Sequence, residues 1–165
     1  MKTRAQKIAV AAMLAALVCV ATMIIKIPTP LKGYVNLGDC IVLLCGSLLS
    51  PAYAFLAAGI GSGLADILSG YLVYAPATFA VKGAMALIIV ALFRYFDKKG
   101  FKPSLKILPC IIAEIVMVLG YFVFEGFLYG FGPSLANIPA NAIQGIAGSI
   151  FGFALIKAFE KIKLF

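Results

Sequence analysis

Long apolar runs are the feature that most restricts what this chain can fold into. Several of them approach or exceed about 18 residues, the length at which an apolar helix can cross a bilayer. Only 12% of the residues are charged, against about 25% in a soluble domain. We therefore predict an all-α membrane protein with a single integral-membrane domain, residues 1–165, surrounded by the lipid bilayer. Pro, Gly and short polar segments divide it into six transmembrane helices, approximately 5–26, 38–50, 52–70, 76–97, 105–130 and 136–160.

The basic residues indicate how these helices are oriented. The chain carries 14 Lys and Arg against 6 Asp and Glu, a formal net charge of +8. Most basic residues lie near the two chain ends or in the loop at 94–106: Lys2, Arg4, Lys7, Arg94, Lys98, Lys99, Lys102, Lys106, Lys157, Lys161 and Lys163. Because cytoplasmic loops are enriched in Lys and Arg, we predict that both termini are cytoplasmic, an N-in/C-in arrangement. No basic patch with interleaved aromatic residues is present, so we predict no nucleic-acid partner.

The sequence lacks the motifs that metal sites and common enzymes require. It has no histidine and no CxxC pair, and its four cysteines (Cys19, Cys40, Cys45 and Cys110) lie in or beside apolar runs. We therefore predict no metal site and no cofactor, with the cysteines acting as small packing residues. The GxxxxGK[ST] loop for ATP, HExxH and GxSxG are all missing, so we predict that the chain is not an enzyme.

Polar side chains occur at helical spacing inside the apolar runs. The clearest is Lys82, well inside the run at 74–93, where a lysine costs about 2.5–3.5 kcal/mol on insertion scales. Most of these polar positions lie within about two turns of the predicted outer helix ends, and each shares a face with small or polar neighbours. We predict that they surround one cavity that opens outward. They are Asp39, Asp66, Thr78, Lys82, Glu125, Asn141 and Gln144.

Structural roles are the alternative for these polar residues. Lys82 could serve only to neutralise Asp39 or Asp66 and so hold two helices together. Asn141 and Gln144 could serve only as hydrogen-bonding contacts between helices, which contribute about 0.6–2 kcal/mol each. The two roles are compatible, because a paired lysine can also face a ligand.

The first helix carries a face of small residues. Small side chains at a spacing of four residues let a second helix backbone approach closely. This face either packs within the chain or receives a partner membrane subunit. Its residues are Ala11, Ala12, Ala15 and Ala16.

Four segments and the alanine face resemble a known family. The segments are YVNLGD (34–39), GSGLADILSGY (61–71), YAPATFAVKG (74–83) and NIPANAIQG (137–145). Together they resemble the substrate-binding S components of energy-coupling factor (ECF) vitamin transporters. The nearest branch is the riboflavin-transporter-like group that includes pyridoxine and hydroxymethylpyrimidine carriers. The resemblance covers nearly the full chain.

The resemblance implies a multi-pass protein of the prokaryotic cell membrane that binds one vitamin from outside with high affinity. It implies a coupling membrane subunit, docked against the alanine face, and two cytoplasmic ATPases. The loop at 27–38 would act as a lid. The ligand-binding residues carried over from the family are Asn36, Tyr74, Thr78, Lys82, Glu125, Asn141 and Gln144. Further candidates for the ligand site or for structural roles are Asp39, Asp66, Tyr34, Tyr121 and Tyr129.

The charges of the predicted cavity bear on the identity of the vitamin. Three carboxylates, Asp39, Asp66 and Glu125, face the single Lys82, an arrangement that disfavours anionic ligands such as folate or pantothenate. Asn, Gln and Tyr side chains can bond ring nitrogens and hydroxyl groups. We therefore expect pyridoxine or hydroxymethylpyrimidine, with thiamine or riboflavin as the alternatives.

A function of another class is also open. Glu114 and Glu125 share one helix face at different depths, an arrangement suited to a proton relay in a proton-coupled secondary carrier. Many such carriers contain an internal repeat, which this sequence lacks. Because Glu114 lies deeper than the other polar residues, we expect it to bond to another helix rather than to a ligand.

Overall fold

The computed structural model describes residues 3–31 and 33–162, which form a bundle of helices. Lys2, Lys32 and Lys163 lie outside the described residues. The helices are α1 (Arg4–Ile24), α2 (Gly38–Leu48), α3 (Pro51–Leu68), α4 (Ala75–Lys99), α5 (Ile107–Tyr129) and α6 (Ile138–Ile162). Their ends lie within two residues of the ends predicted for the six apolar segments.

Capping and turn residues account for several of these boundaries. Thr3 and Gln6 form a capping box at the start of α1, in which each side chain bonds the other residue's backbone N–H at 3.1–3.2 Å. Gly100 ends α4 with φ +68°, a left-handed conformation that glycine adopts without steric cost. The shorter helical elements are 3₁₀ turns at Pro103–Lys106 and Leu135–Asn137 and a one-turn helix at Phe131–Ser134.

Helix α2 is short and lies at the centre of the bundle. Its 11 residues extend about 16 Å, whereas the hydrocarbon core of a bilayer is about 30 Å thick. Nine consecutive residues, 38–46, are buried, because α1, α3, α4 and α6 all pack against this helix. Among the described residues, five helices are long and apolar enough to cross a membrane, and α2 is not one of them. Six membrane crossings and the N-in/C-in orientation therefore stay predictions.

Glycines let α2, α3 and α4 pack closely together. A Cβ added to Gly59 of α3 would lie 2.8 Å from the carbonyl oxygen of Phe79, and one added to Gly46 of α2 would lie 2.6 Å from that of Ala86. Real Cβ atoms do not approach this closely, so a side chain at either position would push α4 away. The close approach places the polar residues of α2 and α3 beside Lys82 of α4.

The segment between α1 and α2 is a correction to the all-α prediction. It contains an antiparallel hairpin of two strands, β1 (Lys26–Pro28) and β2 (Tyr34–Asn36). The rest of the described chain is mostly helical, as predicted. Three-residue strands are too short to show an alternating apolar pattern, so the sequence signals only a proline-rich loop here.

An ion cluster joins three helices at the opposite end of the bundle, which we call the basic end. The ammonium of Lys106 lies 3.0 Å from a carboxylate oxygen of Asp97 in α4 and 3.1 Å from one of Glu160 in α6. It also lies 5.1 Å from the ring centroid of Phe93. The cluster ties the ends of α4 and α6 to the start of α5.

Replacing this lysine should loosen the basic end. We expect Lys106→Met to lower stability by up to about 1 kcal/mol, because the two carboxylates it pairs with are partly exposed. The thermal melting of the purified protein in detergent measures the effect, which should shrink at high salt. Lys98→Met is the matched control at the same end, since Lys98 is exposed and forms no ion pair within the described residues. Equal melting of the two variants would show that the cluster contributes nothing.

Candidate functional site

A polar cavity lies beneath the β-hairpin, between the helices. Residues from α1, α3, α4, α5 and α6 and from the hairpin surround it. They are Thr22, Thr29, Gly33, Tyr34, Asn36, Ser62, Asp66, Tyr74, Thr78, Lys82, Tyr121, Glu125 and Asn141. The cavity therefore collects polar side chains from segments that are far apart in the chain.

Two tyrosines hold the hairpin region over the cavity. The hydroxyl of Tyr34 donates to Asp66 at 2.6 Å, and that of Tyr74 donates to the backbone carbonyl of Leu31 at 2.7 Å. Burial and then the Asp66 carboxylate raise the pKa of Tyr34. Burial and then Glu125 raise the pKa of Tyr74. Both hydroxyls therefore stay protonated and act as donors.

Lys82 forms the centre of a buried network on one side of the cavity. It is 2% exposed and pairs with the fully buried carboxylate of Asp39. The second oxygen of that carboxylate accepts a hydrogen bond from the Gln144 amide at 2.5 Å. Gln144 in turn accepts the backbone N–H of Asn36, at the end of the hairpin, at 2.8 Å. Lys82 also lies 5.5 Å from the ring centroid of Tyr121, so one chain of contacts joins α2, α4, α5, α6 and the hairpin.

A second polar cluster lies around Glu125 of α5. One of its carboxylate oxygens accepts a hydrogen bond from the amide of Asn137 at 2.7 Å and lies 3.2 Å from the hydroxyl of Tyr74, whose one proton it shares with the closer carbonyl of Leu31. The hydroxyls of Thr78 and Tyr121 are 3.0 Å apart and bond each other. These contacts align α4, α5 and the start of α6 around the cavity.

Several buried oxygens at this site have no hydrogen-bond partner among residues 3–31 and 33–162. They are Thr29 Oγ1, Ser62 Oγ, Asp66 Oδ2, Glu125 Oε2 and Asn137 Oδ1. A buried acceptor without a donor costs about 1–3 kcal/mol. Among the described residues, Lys82 is the one lysine that lines the cavity, and it is already paired with Asp39. The site is therefore rich in acceptors, and a molecule with several N–H or O–H donors complements it.

The cavity is smaller than a typical ligand-binding pocket, although its polar lining is typical of one. Its volume is about 30 Å³, whereas pockets for small-molecule ligands usually measure about 300–1,000 Å³. Side-chain hydrogen bonds that join the hairpin to the helices include Tyr34 to Asp66 and Lys26 to Ser69 at 2.9 Å.

The structure brings most of the predicted site residues together. All the residues predicted to bind ligand line the cavity except Gln144, which lies behind Lys82 and Asn36. Among the further candidates, Asp66, Tyr34 and Tyr121 line it. Asp39 lies behind Lys82, and Tyr129 is 37% exposed and does not line it. These positions do not test ligand binding, so the binding roles stay predictions.

Sequence reasoning missed several of the residues that form the site. Thr22, Thr29, Gly33 and Ser62 line the cavity, and Asn137 bonds Glu125. Asn137 and Ser62 were detectable, because each belongs to a polar stripe at helical spacing. Thr29 and Gly33 were not, because only the folded hairpin turns them inward. Within the described residues, no three His, Cys, Asp or Glu side chains are grouped as a metal site would require.

The alanine face of α1 borders an apolar groove against α3, on the outside of the bundle. Ala11, Ala12, Ala15 and Ala16 all line this groove, whose volume is about 620 Å³. Ala11 is buried within the chain, whereas Ala12 and Ala16 are exposed. The face therefore serves internal packing on one side and leaves a smooth apolar surface on the other.

Comparison with known proteins assigns a family to this arrangement of helices and cavity. Residues 2–161 match the family model described as "ECF-type riboflavin transporter, S component". The chain belongs to this family. It is thus an S component, the substrate-binding subunit of a transporter rather than an enzyme.

Two curated proteins and one solved structure are similar to this chain. An "uncharacterized protein in gap 3'region" of Pyrococcus woesei is 35% identical over 139 residues, which cover 84% of this chain and 90% of that protein. The "thiamine precursor transporter HmpT" of Lactococcus lactis subsp. cremoris is 25% identical over 138 residues, 80% of this chain and 75% of the relative. A solved structure described as "Structure and mechanism of the S component of a bacterial ECF transporter" shares the fold. It has a TM-score of 0.75 and 24% identity, and the match covers 99% of this S component and 100% of that chain.

Removing the buried lysine should destabilise this S component strongly. Lys82→Met leaves the Asp39 carboxylate buried without its counter-charge, and breaking such a pair costs about 3–5 kcal/mol. We expect a large drop in melting temperature, measured in detergent. The double variant Lys82→Met with Asp39→Asn removes both charges and should recover most of the loss. If the single variant melts like the parent, the pair does not hold the bundle together.

Proposed function

We propose that this S component is the high-affinity substrate-capture subunit of an ECF-type ABC importer in a prokaryotic cell membrane. It binds a small vitamin or vitamin precursor from outside, in the cavity beneath the hairpin. A coupling membrane subunit and two cytoplasmic ATPases supply the energy, because the sequence has no nucleotide-binding loop of its own. The single observation that carries the proposal is the buried, acceptor-rich cavity in a chain of this family.

We propose pyridoxine or hydroxymethylpyrimidine as the ligand. Both are small heteroaromatic alcohols, and a ring that is neutral or protonated suits a site with unpartnered oxygens on Asp66 and Glu125. The relative named as a thiamine precursor transporter supports the pyrimidine. Thiamine and riboflavin are larger and would require a wider opening of the cavity, so they remain the alternatives.

The cavity residues would have different roles in ligand binding. Asp66 and Glu125 each have one carboxylate oxygen without a partner in the part of the chain that the structure describes, and it could accept a ligand N–H or O–H. The other oxygen of Asp66 stays with Tyr34, and that of Glu125 stays with Tyr74 and Asn137. Thr78, Asn141 and Asn36 add neutral polar groups to the wall. Lys82 would set the charge of the site while it remains paired with Asp39.

The hairpin would act as the lid. Since the cavity holds only about 30 Å³, a vitamin can enter only if the hairpin moves outward. Opening it breaks the bonds of Tyr34 to Asp66 and of Tyr74 to Leu31, and both bonds would form again when the hairpin closes over a ligand bound to the other Asp66 oxygen. Ligand and lid would thus share one carboxylate.

The alternative of a proton-coupled carrier receives no support from the positions of the two glutamates. Glu125 lines the cavity, but Glu114 does not. We find no hydrogen-bonded chain between them within the described residues.

Neutralising either free carboxylate should weaken ligand binding. We expect Asp66→Asn and Glu125→Gln each to reduce affinity for pyridoxine or hydroxymethylpyrimidine by about 10–100-fold, since a hydrogen bond to a charged group contributes about 1.5–3 kcal/mol. Calorimetric titration of the purified chain with each compound measures this. Mass spectrometry of any small molecule that co-purifies identifies the ligand directly.

The matched control is Asp97→Asn, which removes an exposed carboxylate at the basic end and should leave affinity unchanged. If neither cavity variant loses affinity while the parent binds, the acceptor-rich cavity is not the binding site. If the parent binds neither compound but co-purifies with another vitamin, the site stands and the choice of ligand is wrong.

Enlarging the exposed alanines should impair assembly but not ligand binding. Ala12→Leu and Ala16→Leu fill the groove between α1 and α3, which would prevent close approach of the coupling subunit. We expect reduced co-purification with the coupling subunit and unchanged affinity for the ligand. Ala91→Leu makes the same change on the exposed face of α4 and should have no effect. Unchanged co-purification of all three variants would move the docking surface elsewhere.

A further inference from the structure

Glu114 of α5 is a buried carboxyl that the site described above does not use. Its side chain is 3% exposed, and neither of its carboxyl oxygens has a hydrogen-bond donor within the described residues. It does not line the cavity beneath the hairpin. Within the described residues no donor on another helix bonds Glu114, so this carboxyl needs another explanation.

The surroundings of Glu114 bring it up against Asp39. An ideal Cβ placed on Gly148 of α6 would lie 3.0 Å from the carboxyl carbon of Glu114 and 3.1 Å from the Cβ of Asp39. The two acidic side chains thus reach the same point from α5 and from α2. On α6 the neighbours are Gly145 and Gly148, which have no side chain to place between them.

The ionisable groups around Glu114 supply one positive charge for two acids. Asp39 and Cys40 approach from α2, Lys82 from α4, and Cys110 lies one turn away on α5 itself. Asp39 already pairs with Lys82 and accepts from Gln144. An ionised Glu114 would add an uncompensated negative charge to a buried site, which is far more costly than a neutral acid.

We propose that Glu114 is a proton-binding site that shares its proton with Asp39. Protonated Glu114 is a donor, and Asp39 is the acceptor next to it. The group of Glu114, Asp39 and Lys82 then carries no net charge. A protonated carboxyl that donates to Asp39 is stable without a donor of its own, and none is found among the described residues.

The same proton makes Glu114 a positioning residue for the cavity. Glu114 orients Asp39, Asp39 holds Lys82 and Gln144, and Gln144 accepts the backbone N–H of Asn36 at the base of the hairpin. A change at Glu114 therefore reaches the cavity although Glu114 does not line it. The positioning role rests on the proposed function, whereas the protonation of Glu114 does not.

Infrared spectroscopy tests the proton without any ligand. In the parent protein at neutral pH, the carbonyl stretch of a protonated carboxylic acid should be present, and the nearly isosteric Glu114→Gln should lose it. Glu160→Gln, at a partly exposed carboxyl of the basic end, is the control and should lose carboxylate bands instead. If Glu114→Gln also loses carboxylate bands and keeps the acid carbonyl band, Glu114 is ionised and the proposal is overturned.

A second variant covers the case in which Glu114→Gln cannot be purified. The double variant Asp39→Asn with Lys82→Met replaces the charged acceptor by an amide without leaving Lys82 buried and unpaired, so the acid carbonyl band of Glu114 should shift. An unchanged band would show that Glu114 does not donate to Asp39, which also overturns the proposal.

Titration with pyridoxine and hydroxymethylpyrimidine tests the positioning role. Glu114→Gln keeps a donor toward Asp39 and should bind within about 3-fold of the parent, whereas Glu114→Leu should lose about 10-fold or more. Equal binding by both variants would contradict the positioning role of Glu114 but not its protonation. If even the parent binds neither compound, the proposed ligand is at fault, and the infrared result still decides the protonation of Glu114.

Discussion

The buried pair of Lys82 and Asp39 is the interaction on which the rest of the structure depends. Each charge alone would be prohibitively costly inside an apolar bundle, and the pair is tolerable only because the remaining hydrogen-bonding capacity of Asp39 is also used. The Gln144 amide donates to Asp39, and its carbonyl oxygen accepts the backbone N–H of Asn36 in the hairpin. One ion pair thus fixes α2, α4 and α6 relative to each other and anchors the base of the hairpin over the cavity.

Close helix packing is what brings these polar groups within reach. Gly46 and Gly59 allow α2 and α3 to approach the backbone of α4, and Gly148 leaves room between Glu114 and Asp39. Because α2 is short and enclosed by four helices, it can deliver Asp39 to the interior without crossing the whole bundle. The result is a site in which Asp39 and Glu114 lie behind the paired Lys82, and Lys82 lines a polar cavity under a small hairpin.

The sequence was informative about where the helices lie and less so about which side chains from different segments contact each other. The six apolar segments correspond to the six main helices, since long apolar runs bounded by Pro and Gly leave little freedom in where a helix ends. Helical periodicity also identified Thr78, Lys82, Glu125 and Asn141, which do line one cavity. It could not choose between Asp39 and Asp66 as the partner of Lys82, because both lie at suitable depth. Nor could it detect the hairpin, whose strands depend on contacts with Asp66, Ser69 and Gln144, far away in the chain.

The sequence by itself therefore determined the class of protein, the helical segments and the set of polar residues buried between them. These follow from local properties, namely apolar run length, periodicity and breaking residues, which act within about one helix at a time. Only the tertiary structure decided which acid neutralises Lys82, that Glu114 lies near Asp39 with no donor among the described residues, and that Thr29 and Gly33 turn into the cavity. These contacts depend on the rotation and separation of the helices to within about an ångström. Close packing across several helices determines that geometry, and no single segment does so alone.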